Sequence, residues 1–234
     1  MRPLLFLAGL GATGMIVTAC GGDERPSRPA KTIRYVALGD SYTIGEGVER
    51  PERWPERLAA HARRDGVALD VVANPAVTGY TTRDVLEREI PALRAARADF
   101  ATLQIGVNDW VQGASGREFR ASLAALLDEI PRHLTDRRAF AVVTIPDFAS
   151  TPAGVLFTGG RDATAGIRRF NAIITEEGRR RGILVADVFA VSRRARTDPE
   201  LVGRDGLHPS PKQYAAWEAA IYPVIRKAAP VPRG

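Results

Sequence analysis

Cysteine is nearly absent: Cys20 stands alone among 234 residues, so no disulfide can close within the chain. Histidine is scarce too, at three residues, and none sits with cysteine or acids at metal-ligand spacing. Metal catalysis is therefore not expected. The only long apolar run covers residues 4–19, and nothing later approaches the ~20 residues that a membrane span needs. A polytopic membrane protein is excluded. No G-x-G-x-x-G opens the first helix and no G-K-[ST] occurs, so neither a dinucleotide nor a P-loop nucleotide is expected, nor any other cofactor. With 45% hydrophobic and 26% charged residues and no repeat or low-complexity block, a disordered or collagen-like chain is ruled out as well.

Lysine is also rare. Three lysines stand among 33 basic residues, which exceed the 27 acids to give a net charge of +6. A positive balance can signal nucleic acid, but only where it is localised. Here the arginines are scattered and often adjoin acids, as in Arg83-Asp84 and Glu87-Arg88-Glu89. The short runs Arg179-Arg180-Arg181 and Arg193-Arg194 lack the interleaved aromatics that stack bases. Nucleic-acid binding is not expected.

The chain opens with Arg2, an apolar stretch from Leu4 to Thr18, and then Val17-Thr18-Ala19-Cys20. A small residue set against a cysteine resembles a bacterial lipobox, in which that cysteine becomes the lipidated first residue of the mature chain. The other reading is an ordinary secretory leader with an incidental cysteine. The lipobox reading predicts a signal peptide over residues 1–19, lipidation at Cys20, a polar tether over 20–31 and an exported, membrane-anchored domain over 32–229.

From Thr32 the pattern alternates. Strands are predicted at 33–38, 67–73, 100–105, 140–145 and 183–188, and helices at 54–64, from 81, 117–134, 162–181 and 211–228. This alternation implies one α/β domain: a mostly parallel five-stranded sheet covered on both faces, a three-layer α/β/α sandwich. Sites in such open sheets lie outside the carboxyl ends of the strands, so the residues after each strand carry the chemistry.

After the first strand comes Gly39-Asp40-Ser41, after the second Thr78-Gly79-Tyr80, after the third Gly106-Val107-Asn108-Asp109, and near the end Asp205-Gly206-Leu207-His208-Pro209. Ser41 on a strand-to-helix turn suits a nucleophile or, equally, a helix cap. His208 suits a general base whose ring Asp205 could orient, or a surface histidine with a local acid. Gly79 can offer a backbone N–H to an anion or simply turn a loop, and Asn108 can aim an amide at an oxyanion or close an Asx-turn. Asp40 and Asp109 are expected to bond the backbone of these loops rather than transfer protons. The segment 146–160 contains Phe148, Val155, Leu156 and Phe157, which could line an acyl pocket or pack beneath the loop.

Taken together and in this order, Ser41 in GDS, Gly79, Asn108 in GVND and His208 in DGLHP resemble the four blocks of the SGNH, or GDSL-type, hydrolase family. The resemblance runs from Tyr35 to Trp217 and is nearest to an exported bacterial subgroup with GDSYTIGE, ERWP, IPD and DGLHP segments. It implies a flavodoxin-like fold and a serine ester hydrolase acting on glycan or lipid esters. It further implies Ser41 as nucleophile, His208 as base, Asp205 as its partner, and an oxyanion hole from the Ser41 and Gly79 N–H groups with the Asn108 side chain. An acyltransferase using the same acyl-enzyme, or a binding lipoprotein without turnover, remains an alternative.

Overall fold

A computed structural model describes residues 32–229. The expected leader (1–19), Cys20 and the tether (20–31) lie outside the described residues.

The chain forms β1 (Ile33–Gly39), a short α1 (Ser41–Ile44), α2 (Trp54–Arg64), β2 (Leu69–Ala73), α3 (Thr82–Asp84), α4 (Ile90–Ala96) and β3 (Phe100–Gln104). Then follow α5 (Val107–Val111), α6 (Gly116–Glu129), β4 (Phe140–Val143), α7 (Ala163–Arg181), β5 (Leu184–Ala186), α8 (Phe189–Ser192) and α9 (Pro211–Ala228). All five strands are parallel, in the order β2-β1-β3-β4-β5. This is the α/β/α sandwich that the alternation predicts. α2 packs with α9 on one face, and α6 packs with α7 on the other.

Strand order reverses direction between β1 and β3, and ligands in open α/β sheets bind at such a switch point. The loops carrying Ser41 and Asn108 leave these two strands side by side. Burial is deepest beneath them: Tyr35, Val36, Ala37 and Leu38 of β1 are fully buried, as are Phe100, Ala101 and Leu103 of β3. These near-continuous apolar runs are what a strand covered on both faces requires.

Sequence and structure differ most around residues 81–96. The helix predicted from residue 81 begins one residue later, at Thr82, and Thr81 is its N-cap, accepting from the Asp84 N–H in a capping box. Residues Val85–Glu89 then wind as a π turn before α4. Because that turn places residues five apart on one face, Val85 and Ile90 are buried together, Leu86 points outward at 36% exposure, and Glu89 goes inward.

Candidate active site

The Ser41 turn is forced by close contact. Gly39 lies so near β3 that a Cβ there would stand 2.3 Å from the Gln104 carbonyl oxygen. Glycine alone fits. Asp40 follows as N-cap of α1, its Oδ1 accepting from the Tyr42 N–H at 3.0 Å, and Ser41 opens the helix at the carboxyl end of β1.

His208 arrives from the loop before α9. Its Nε2 lies 2.9 Å from Ser41 Oγ across 167 residues of sequence, and its Nδ1 lies 2.5 Å from Asp205 Oδ2. The other Asp205 oxygen accepts from the Leu207 and His208 N–H groups, at 2.9 and 3.0 Å. Partial burial opposes ionisation of Asp205, but the His208 ring and these two N–H groups outweigh it and hold the carboxyl below its ordinary range. The Tyr42 ring lies 5.3 Å from the imidazole, backed by Trp217, and Tyr214 Oη donates to the Tyr42 carbonyl at 3.1 Å. A cluster of buried aromatics thus packs beside the histidine.

Gly79 and Asn108 meet through one carbonyl. Asn108 Nδ2 donates to Tyr80 O at 2.9 Å, which leaves the amide a second hydrogen. Gly79 has φ 89°, a conformation that suits glycine, and the space where a Cβ would stand is open. This loop is pinned to the serine side twice: Asn74 Nδ2 donates to Thr43 O at 3.0 Å, and Thr78 Oγ1 donates to Glu46 Oε2 at 2.5 Å. It is pinned behind as well, where Asp109 accepts from both the Thr82 N–H and its hydroxyl.

Asp40 and Asp109 therefore bond loop backbone, as their positions suggest. Asp147, also buried, instead meets side chains: it accepts from Thr164 Oγ1 and faces Arg193 and Arg196. Of the hydrophobic residues after β4, Phe148 packs beneath the loop at 2% exposure, whereas Val155, Leu156 and Phe157 face solvent. Among the described residues no group of three or more His, Cys, Asp or Glu side chains could hold a metal, and no helix is long and apolar enough to cross a membrane.

One residue escaped sequence reasoning. Glu89, on the π turn, reaches under the Ser41 turn, where its Oε2 accepts from the Gly39 N–H at 3.0 Å. Its Oε1 and the Oδ2 of Asp40 are buried without a partner. Burial, together with their mutual repulsion, pushes Glu89 up to about 8; burial, with repulsion from Asp109, pushes Asp40 up to about 7. The available signal was an acid at i+4 from Val85, in register with the apolar stripe.

A family model for GDSL-like lipases and acylhydrolases matches residues 37–216. Among solved structures, the chain is similar to Axe2, an acetylxylan esterase from Geobacillus stearothermophilus, with 18% identity over 84% of this chain and 95% of that one, at a TM-score of 0.65. It is similar to LAE5, described as an alpha/beta hydrolase enzyme from the metagenome of Lake Arreo, Spain, with 19% identity over 84% and 96% and a TM-score of 0.66. A third is the psychrotrophic esterase EstA from Pseudoalteromonas sp., with 18% identity over 83% and 97% and a TM-score of 0.63. At these identities the likeness speaks for the fold. No curated protein matches by sequence.

Proposed function

The chain belongs to the GDSL-like lipase/acylhydrolase family, and from that premise we propose that it hydrolyses carboxylic esters through a Ser41–His208–Asp205 triad. One observation carries the reading: the 2.9 Å contact between Ser41 Oγ and His208 Nε2, with Asp205 on the opposite ring nitrogen. An ionised Asp205 favours a proton on Nδ1, which leaves Nε2 free to accept the serine proton. Ser41 Oγ then attacks the ester carbonyl, the protonated imidazole gives its proton to the departing alcohol, and water drawn by the same nitrogen cleaves the acyl-enzyme.

Charge developing on the carbonyl oxygen needs donors that are already in place. The backbone N–H groups of Ser41 and Gly79 and the uncommitted hydrogen of Asn108 Nδ2 fill this role in the proposal. In support, Asn108 and the Gly79 loop are bonded to each other, and that loop is bonded to α1. The substrates in this reading are acyl or acetyl esters of glycans or lipids. Axe2, by its description, acts on acetylxylan, which favours including acetylated sugars. The reading also keeps Cys20 as a lipid anchor holding an exported domain at a membrane, which metabolic labelling with a fatty acid, lost in Cys20→Ala, would test.

A fluorophosphonate probe tests the mechanism. The protein should label at Ser41, and Ser41→Ala should abolish both labelling and hydrolysis of p-nitrophenyl esters. A protein that never labels, or labels equally without Ser41, overturns the reading. A chain-length series of the same esters separates the substrate classes, with a maximum at acetate pointing to sugars and one at longer chains to lipids.

A further inference from the structure

Among the described residues five large hydrophobic side chains are exposed, and three are consecutive: Val155 at 64%, Leu156 at 79% and Phe157 at 43%. They lie on a single 3-10 turn, Gly154–Phe157, in the loop after β4. With three residues per turn, Gly154 and Phe157 share a side. Gly154 is buried, so Phe157 stays closest to the body while Val155 and Leu156 project outward. The tip is therefore convex. Side chains that diverge from a ridge do not wrap an acyl chain, but they can enter a soft apolar phase.

The tip is also mounted on the site. The Ala153 N–H donates to Gly206 O at 2.9 Å, and Gly206 lies two residues before His208. The turn leaves the same edge of the sheet as Ser41.

Charge indicates what the tip meets. Between Asp147 and Asp162 the sequence contains no acid. Asp147 is buried against Arg193 and Arg196, Asp162 caps α7, and Asp205 is committed to His208. Cations outnumber acids at this base: exposed Arg161 bonds the carbonyls of Thr158, Trp110 and Val111 and not a carboxylate. Two half-exposed arginines, Arg193 and Arg196, share the single carboxylate of Asp147, Arg196 also donating to Ser150 Oγ. An apolar tip above a net positive base matches a surface with anionic headgroups over hydrocarbon.

We propose that Val155, Leu156 and Phe157 form a docking tip that inserts into the interfacial layer of an anionic phospholipid surface and brings the mouth of the Ser41 site onto it. The docking stands on its own observations; only its use, delivery of ester substrates from that surface, rests on the hydrolase reading.

The test places an environment-sensitive dye on the tip through Leu156→Cys, in the full chain carrying Cys20→Ala. A control carries the dye at Arg137→Cys, exposed in the turn that enters the opposite end of β4. With phosphatidylglycerol vesicles the tip dye should shift to the blue and the control dye should not. The shift should weaken with phosphatidylcholine alone and with added salt. No shift, or an equal shift at both positions, overturns the proposal. A shift with soluble short-chain esters and no vesicles would make the turn a substrate wall, and one that tracks protein concentration without lipid would make it a contact between copies; either also overturns it. In parallel, replacing all three residues with serine should lower hydrolysis of a vesicle-borne ester at least about tenfold and leave p-nitrophenyl acetate turnover unchanged. Fluorophosphonate labelling at Ser41 reports the hydrolase reading separately.

Discussion

Two turns that leave the same edge of the sheet treat polarity in opposite ways. After β1 the chain buries what is polar: Asp40 at 1%, Ser41 at 5% and Thr43 at 0% exposure. After β4 it displays what is apolar, with Leu156 at 79%. A buried hydroxyl and carboxylates are tolerated in the first turn because nearly every one is tied to backbone or to a partner side chain. The second turn sacrifices burial of three large side chains although Phe148, a few residues earlier, packs well. Each turn departs from the ordinary rule of inside and outside; the first meets His208 through Ser41 Oγ, and the second is bonded, through the Ala153 N–H, to Gly206 in the same loop. In the proposed reading the local violations of polarity mark the function, one holding the Ser41 hydroxyl rigidly and the other offering contact to a lipid surface.

That contrast is sharpest when the first turn loses its reacting atom. Ser41→Ala should reduce kcat by a factor on the order of 10⁴ to 10⁶, judged from triad serines elsewhere, while the folded state is retained. Circular dichroism and steady-state kinetics on the same sample check both parts. Substantial residual turnover would leave the turn as a helix cap and no more. Asn108→Ala comes next, with a loss of about 2.7–4 kcal/mol in transition-state stabilisation, read mainly in kcat. Since the same amide also holds the Tyr80 carbonyl, an effect confined to KM would show that the residue shapes the loop and does not meet the oxyanion.

How far the sequence discloses these features depends on how local they are. Trp54–Arg64 and Pro211–Ala228 form helices with the boundaries that the sequence pattern predicts, because amphipathic spacing lies within each segment. GDS and DGLHP are legible for the same reason: Asp205 and His208 are three residues apart. Their meeting with Ser41 is not local, and only a family resemblance bridges that distance. Glu89 was hidden because its role depends on a π turn that rotates it beneath Gly39, and no short-range pattern announces such a turn. The outward aim of Val155 and Leu156 was equally hidden, since an apolar loop segment reads alike whether it packs or protrudes.

Glu89 offers a finer test of the buried turn. Its carboxyl is pushed up to about 8 by burial and by Asp40 and Asp84, against 4.5 for an ordinary glutamate. The folded state therefore holds the proton more tightly than the unfolded chain. That contribution is complete below the unfolded value and is lost as pH rises through about 8. Glu89 should contribute a fall approaching about 1.4 kcal/mol per pH unit across this window, to which Asp40 adds below about 7, so the contribution of Glu89 is read most cleanly between about 7 and 8. Glu89→Gln keeps an acceptor for the Gly39 N–H and should flatten the slope. Glu89→Ala should flatten it too but lose about 1–3 kcal/mol at every pH, because a buried donor is left unpaired. Chemical denaturation between pH 5 and 9 separates the three proteins. Parallel curves for wild type and Glu89→Gln would show that the carboxyl stays ionised in the fold.

The smallest expected effect belongs to the other turn, and its smallness is the point. Leu156→Ser removes a side chain that is mostly in water already, so folding stability should change by no more than about 0.5 kcal/mol. A buried leucine or phenylalanine in this fold would cost several times as much, about 2–5 kcal/mol on truncation to alanine. Denaturant midpoints for Leu156→Ser beside Phe148→Ala, measured at one pH, make the comparison within a single loop. Near-equality of the two losses would mean that Leu156 packs in solution and that the turn after β4 obeys the ordinary rule. A wide gap would mean that the side chain contributes nothing to the fold, and a leucine left this exposed on a loop bonded to Gly206 then has to be explained by what it touches outside the molecule.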